Sequence, residues 1–162
     1  MKQELQDLIS ECSTELVDIE SRIQSLQPFD KEIRYLTNYA LIKAAGTAEY
    51  VYRSIVADYF SRLSDSRVDT YIDSTVRNGS MSAKYEEMCK LLGRFDTVWC
   101  NNFKNAVKSN PDSQRIVAAS NSLVTNRHSF AHGKNPTATF SDIKQYYQDI
   151  VNLINIFDSI VC

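Results

Sequence analysis

Apolar residues recur every three or four positions along most of the chain, which is the spacing of amphipathic α-helices. The first run predicts a long helix over residues 1–27, ended by Pro28, because proline cannot continue a helix interior. The apolar positions of this run form one continuous seam about three heptads long. Such a seam suits either packing in a helical bundle or a dimerisation arm. The seam consists of Leu5, Ile9, Cys12, Leu16, Ile19, Ile23 and Leu26.

A second long helix is predicted over about residues 31–63, with Asp30 as its N-cap. Gly46 inside this helix costs about 1 kcal/mol relative to alanine, which indicates close packing or a kink. Glu49 and Arg53 are four residues apart and can pair on the helix surface. Alternatively, one of the two faces a site formed by another part of the chain.

The remaining helices are shorter, and no long period-two alternation or internal repeat interrupts them. The pattern predicts an all-α, single-domain helical bundle over residues 1–162, in which the long N-terminal helix precedes a core at 30–162. The predicted boundaries are a helix at about 68–76 closing at Asn78-Gly79, one capped by Ser82 and ended by Gly93, one from Phe95 to Asn110-Pro111, one capped by Asp112 or Ser113, and a last one starting at Thr139 or Ser141.

Composition adds little to this picture. The net charge of −2 does not indicate a nucleic-acid binder, although a local basic cleft remains compatible with it. The four cysteines are irregularly spaced, and the N-terminal residues lack a signal-peptide layout. No run approaches the ~18 apolar residues of a membrane span. These features predict a reduced, cytoplasmic protein that does not enter a membrane.

Both histidines of the chain lie in one segment, residues 123–133. Arg127 is followed five positions later by His132, and Gly133 comes next. A permanent cation beside a side chain that exchanges protons near neutral pH is what phosphodiester cleavage needs without a metal. Histidine is also a good partner for a helix C-terminus with no catalytic role.

On a regular helix, residues five apart are separated by about 140° around the axis. Arg127 and His132 therefore converge only if the helix unwinds near His132 or if two copies of the segment meet. Gly133 favours a helix end, because glycine adopts the left-handed conformation that follows one.

His128 and His132 have the four-residue spacing of a zinc-binding pair. The metalloprotease pattern needs a glutamate where Ser129 stands, and no third ligand is evident. We therefore predict no metal and no cofactor.

The segment Arg127-His128-Ser129-Phe130-Ala131-His132-Gly133 resembles the signature of HEPN domains, often written R-N-x-x-A-H-G. Residues 41–53 resemble the early helix of the RiboL-PSP-HEPN type, and the resemblance spans about residues 30–160. It implies a helical homodimer in which two Arg–His pairs line one cleft. Many HEPN proteins are metal-independent endoribonucleases that act as toxins or in phage defence, so the resemblance also implies an RNA substrate and an antitoxin or other partner protein.

The resemblance assigns roles to individual residues. Arg127 would hold the scissile phosphate, and His132 would be the general base or acid, giving a 2′,3′-cyclic phosphate. Asn126 and Glu49 are supporting candidates, together with His128, which replaces the usual asparagine of the signature. Lys134 stands where some HEPN toxins carry a tyrosine modified by nucleotidyl transfer, so this regulation is not expected; the lysine contacts RNA phosphate or is merely solvated.

Three hypotheses follow. The first is a homodimeric HEPN endoribonuclease centred on Arg127 and His132. The second is a catalytically silent HEPN module that serves as an RNA- or protein-binding scaffold. The third is a plain helical interaction protein in which the motif is accidental.

Overall fold

The structure, a computed structural model, describes residues 1–62 and 65–161. These residues form seven α-helices and one π-helical turn, and they contain no strand, so the predicted all-α class is confirmed. The helices are α1 (Gln3–Gln24), α2 (Lys31–Ser61), α3 (Ser66–Ile72), α4 (Tyr85–Phe95), α5 (Thr97–Ser109), α6 (Ser113–Ala131) and α7 (Phe140–Val161), and the π-helical turn is Asp73–Arg77.

Helix α1 packs against α2 and α7 through the predicted apolar seam. Leu5, Cys12, Leu16 and Ile19 are buried there, so the seam is used within the bundle. The helix ends at Gln24, before the predicted end at residue 27. Residues 25–30 connect the end of α1 to the start of α2.

Helix α2 crosses the centre of the molecule and packs on α1, α6 and α7. The Asp30 carboxylate accepts a hydrogen bond from the Glu32 N–H at 2.9 Å, which is the predicted N-cap. The helix ends at Ser61, and the predicted end near residue 63 lies outside the described residues. Small buried side chains let its neighbours approach closely: Ala40, Ala44, Ala45 and Ala48.

The segment after α2 is held to it by a buried carboxylate. Asp58 accepts hydrogen bonds from Lys2 at 2.9 Å and from Arg77 at 2.8 Å. Burial raises the pKa of Asp58, but these two cations outweigh it and leave the pKa below its ordinary value. The carboxylate therefore fixes the π-helical turn against α2.

Helices α4 and α5 form a hairpin whose bounds differ from prediction. Helix α4 begins at Tyr85, whose N–H donates to the Ser120 hydroxyl of α6 at 2.9 Å, so the predicted capping role of Ser82 is wrong. Gly93 lies inside α4, and the helix continues to Phe95. Asp96 then caps α5 through a 2.6 Å hydrogen bond from the Val98 N–H. A carboxylate cap, not a glycine, separates the two helices.

An aromatic cluster docks this hairpin on the end of α2. The rings of Phe60 and Phe95 have centroids 4.5 Å apart, and the ring of Trp99 lies edge-on to that of Tyr59 at 4.9 Å. Such ring pairs stabilise packing by about 0.5–1.5 kcal/mol beyond the area that they bury.

Helices α6 and α7 complete the core. Helix α6 begins at Ser113, close to the predicted start, but the side chain of Asp112 makes no capping hydrogen bond, so the predicted capping by Asp112 is wrong. The hydroxyl of Thr139 accepts a hydrogen bond from the Asp142 N–H at 3.2 Å, and the Asp142 carboxylate accepts one from the Thr139 N–H at 2.8 Å. This reciprocal pair is a capping box that starts α7 at Phe140.

Cys12 and Cys89 are buried and Cys100 is half-buried, all three as free thiols; Cys162 lies outside the described residues. None of the helices in residues 1–62 and 65–161 has the length and apolar content that crossing a membrane requires.

Candidate active site

Helix α6 ends as the glycine in the motif predicts. Gly133 has a φ of 72°, a left-handed value that glycine adopts without strain. His132 is therefore the first residue beyond the helix, and its side chain is exposed to solvent. The turn is closed by the N–H groups of His132, Gly133 and Lys134, which donate to the carbonyls of His128, Phe130 and Ser129 at 3.1, 3.0 and 2.9 Å.

The two histidines are adjacent. The rings of His128 and His132 have centroids 4.2 Å apart and meet edge to face at 62°. Both side chains are exposed, so solvent or a ligand can exchange protons with either ring. The histidine that replaces the usual asparagine thus places a second imidazole beside His132.

Arg127 is held from a distant part of the chain. Its guanidinium donates to the carboxylate of Glu49 in α2 at 2.9 Å. The Glu49 side chain is 8% exposed and that of Arg127 is 36% exposed. Arg53 instead donates to the main-chain carbonyl of Glu49 at 2.9 Å, so the structure contains the tertiary contact and not the surface pair of Glu49 and Arg53.

Burial dominates the electrostatics of Glu49. Burial raises the pKa of this carboxyl. The positive charges of Arg127 and Arg53 and the nearby main-chain N–H of Ala83 lower it by less, so the pKa lies above its ordinary value. One carboxylate oxygen, Oε1, is buried and accepts no hydrogen bond of good geometry among the described residues, although the Ala83 N–H lies near enough to the carboxylate to lower its pKa. The ion pair therefore holds Arg127 in place while stabilising the fold little.

A groove of about 630 Å³ runs beside Arg127 and His128. We call it the basic groove, because Lys84, Arg94 and Arg127 line it against one acid, Glu87, which itself pairs with Lys90 at 2.7 Å. It gives the site a positive surface in a chain of net charge −2. Its lining consists of Ser80, Met81, Ser82, Lys84, Glu87, Arg94, Val124, Thr125, Arg127, His128 and Ser129.

Lys84 and Arg94 are functional candidates that the sequence analysis did not find. Lys84 directly precedes α4 and Arg94 lies in its last turn, both far from residues 123–133 in sequence. Only the packing of α4 on α6 brings them to the groove. No local motif marks either residue.

Asn126 holds the connection between α6 and α7. Its side-chain oxygen accepts hydrogen bonds from the N–H groups of Thr137 at 2.9 Å and Ala138 at 3.0 Å. Its amide nitrogen donates to the Ser122 carbonyl at 2.9 Å. Asn126 thus fixes the loop that follows His132. Lys134 lies exposed in this loop and does not line the basic groove.

Within one chain, Arg127 and His132 contact different side chains. The ion-pair partner of Arg127 is Glu49, and the ring partner of His132 is His128. Arginine carries five N–H donors, so Arg127 keeps donors for an anion while it binds Glu49. No group of three or more His, Cys, Asp or Glu side chains within residues 1–62 and 65–161 could hold a metal ion.

Comparison with known sequences identifies the family of the chain. The family model described as RiboL-PSP-HEPN matches residues 6–162, which is nearly the whole chain. No match was found among curated proteins or among solved structures. The chain therefore belongs to the RiboL-PSP-HEPN family.

Proposed function

We propose that the protein is a metal-independent endoribonuclease of toxin or phage-defence type that acts as a homodimer. The observation that carries the proposal is the end of α6, where the exposed rings of His128 and His132 are adjacent and His128 lines a basic groove together with the anchored Arg127. Membership of a HEPN family, in which nuclease activity is known, supports the same reaction.

Arg127 would bind the scissile phosphate and stabilise the charge that develops on its oxygens. One imidazole would take the proton of the ribose 2′-hydroxyl as the 2′-oxygen forms its bond to phosphorus. A second imidazole would give a proton to the 5′-oxygen as its bond to phosphorus breaks. The products are a 2′,3′-cyclic phosphate and a 5′-hydroxyl. His132 is the main candidate for this proton transfer, with His128 beside it.

Glu49 would act through Arg127 and not on RNA. Its carboxylate is largely buried and bonds one guanidinium nitrogen, which leaves the other face of Arg127 toward the basic groove. It is a positioning residue in this proposal. Asn126 positions the loop after His132 in the same indirect way.

One face of α2 supports the homodimer. We call it the α2 stripe: Tyr39, Ile42, Gly46 and Tyr50, all exposed. A Cβ placed on Gly46 would meet nothing within 4 Å, so packing inside the chain does not explain a glycine in mid-helix. A glycine on an exposed apolar face suits the close approach of a second helix. Because the stripe ends at Tyr50, directly after Glu49, pairing of two α2 helices through it would place the Glu49–Arg127 pair of each copy near the interface.

The test is cleavage of a mixed single-stranded RNA in EDTA by the wild-type protein and by Arg127→Ala and His132→Ala. Lys108→Ala, which removes an exposed cation of α5 outside the basic groove, is the matched control. We expect each site variant to lose at least about a hundredfold in rate and the control to keep its rate. Mass spectrometry of the fragments should show the cyclic phosphate. A folded wild-type dimer that binds RNA without cutting it would refute the enzyme and favour the silent scaffold.

A further inference from the structure

A second groove of about 700 Å³ lies between the start of α2 and the α6–α7 connection. We call it the aromatic groove. Its volume is in the range of pockets that bind small organic ligands. It is lined by Phe29, Asp30, Lys31, Ile33, Arg34, Tyr35, Thr37, Asn38, Asn135, Pro136, Ala138, Thr139 and Phe140.

Phe29 is strained and fully exposed at the edge of this groove. The Asp30 N–H donates to the Gln27 carbonyl at 3.1 Å, which closes a turn with Pro28 second and Phe29 third. Phe29 has a φ of 70°, a value at which such turns favour glycine or asparagine. Its side chain is 100% exposed, so the ring gains nothing from burial in the fold. Neither the turn nor the core explains a phenylalanine here.

Aromatic and cationic side chains are combined in the groove. Tyr35 is 61% exposed, and the guanidinium carbon of Arg34 lies 6.0 Å from the centre of its ring. Lys31 and Arg34 are both exposed at the groove. The carboxylate of Asp30 already accepts the hydrogen bond that caps α2. It therefore offsets the charge of Lys31 and Arg34 only in part. Exposed rings beside cations are the surface that single-stranded nucleic acids use, since bases stack and phosphates pair.

The groove borders the loop that follows the α6 motif. Asn135 and Pro136 in its wall follow His132 by three and four residues. Asn126, inside the motif segment, holds the same loop through the Ala138 N–H, and Ala138 also lines the groove. The opposite wall includes the amide of Asn38, a group that can hydrogen-bond to a base edge. A ligand in the groove would therefore lie along the loop that carries the chain away from His132.

We propose that the aromatic groove binds a nucleotide of single-stranded RNA next to the scissile phosphate. The base stacks on Phe29 and Tyr35, and Lys31 and Arg34 contact the backbone phosphates. This subsite rests on the proposed ribonuclease function, because it adds a contact to a base to the phosphate contact proposed for Arg127. RNA binding also explains why Phe29 keeps a strained backbone conformation and an aromatic ring that is exposed to solvent.

The test measures RNA binding in the full chain carrying His132→Ala, so that the probe is not cut. The probe is a fluorescein-labelled single-stranded RNA of about 12 nucleotides, followed by anisotropy. Phe29→Gly and Tyr35→Ala should each raise the dissociation constant about tenfold. Tyr71→Ala, which removes an exposed ring of α3 outside the groove, should leave it unchanged. Arg34→Gln should reduce the salt dependence, lowering the slope of log affinity against log salt by about 0.7.

Phe29→Gly separates binding from folding. Glycine adopts a φ of 70° freely, so the variant should melt at the same temperature as the parent or higher while it loses RNA affinity. Unchanged affinity in Phe29→Gly and Tyr35→Ala, or no RNA binding by the parent, overturns the subsite. A dimer that dissociates in Phe29→Gly with RNA affinity intact would identify a protein interface and also overturn it.

The two proposals can fail separately. RNA binding that depends on Phe29, with no cleavage by the wild type, would refute the proposed ribonuclease activity and support the RNA-binding role of the aromatic groove. Cleavage by a Phe29→Gly protein with wild-type kcat/KM would refute the RNA-binding role of the aromatic groove and support the ribonuclease activity.

Discussion

Replacing Glu49 with glutamine tests whether the buried carboxylate serves the position of Arg127 or the stability of the fold. Glutamine keeps the shape of the side chain and removes its charge. Breaking a fully buried ion pair costs about 3–5 kcal/mol, whereas an exposed pair contributes about 0–1 kcal/mol. Arg127 is 36% exposed and stays hydrated without its partner, so we expect the cost of leaving it unpaired to be about 1 kcal/mol.

A second effect opposes this cost. Since burial raises the pKa of Glu49 more than the two arginines lower it, ionised Glu49 is less stable in the folded protein than in the unfolded chain. Glutamine removes that penalty. We expect Glu49→Gln to unfold within about 1 kcal/mol of the wild type at neutral pH, a shift of at most about 4 °C in Tm.

The pH dependence has a definite sign. Because the folded pKa of Glu49 lies above the unfolded value, the folded protein binds a proton that the unfolded chain releases. This contribution to stability is complete below the unfolded pKa and is lost as pH rises through the folded pKa. Across that window it falls by up to about 1.4 kcal/mol per pH unit. Glu49→Gln should lack this decline, so its stability relative to the wild type should rise across the window.

The assay is urea unfolding at a series of pH values for the wild type, Glu49→Gln and Glu11→Gln, whose carboxylate is exposed on α1. RNA cleavage by the same proteins should fall about tenfold in Glu49→Gln, because Arg127 loses its charged anchor, and stay constant in Glu11→Gln. A loss of more than about 3 kcal/mol in Glu49→Gln, or a pH dependence equal to that of the wild type, would refute the reasoning.

Two glycines give further predictions. Gly46→Ala should stabilise the isolated chain by about 1 kcal/mol, because the added methyl group meets open space in mid-helix, and should weaken the homodimer in sedimentation equilibrium. A tighter dimer in this variant would argue against close approach at the α2 stripe. Gly133→Ala should lower stability by about 1 kcal/mol, seen as a Tm lower by about 3 °C, since alanine is strained at a φ of 72°. An unchanged Tm would mean that the end of α6 adopts another backbone conformation.

The helices were largely predictable because their signals are local. Asp30 caps α2 and Gly133 ends α6 through contacts with residues nearby in sequence, and both could be predicted from residue type. The end of α4 could not, because glycine weakens a helix without forcing it to stop. Helix α4 passes through Gly93, where a Cβ would meet only the Cys100 side chain at 3.8 Å.

The candidate site was predictable only in part. Arg127 and His132 stand in one motif, but the partner of Arg127 lies 78 residues earlier, and nothing local to Glu49 distinguishes it from a partner of Arg53. Lys84 and Arg94 enter the basic groove through helix packing. Charge that is assembled from separate elements leaves no pattern along the chain, which is why the overall charge of −2 gave no indication of the groove.

The aromatic cluster between α2 and the α4–α5 hairpin has an optical consequence. Trp99 is the single tryptophan of the sequence, and its ring lies 4.9 Å from that of Tyr59 and 6.1 Å from that of Phe60. Its fluorescence emission therefore reports whether the hairpin is docked. Because Trp99 lines neither the basic nor the aromatic groove, an added oligonucleotide should not quench it directly. One indole thus gives a folding signal that can be recorded while RNA is bound.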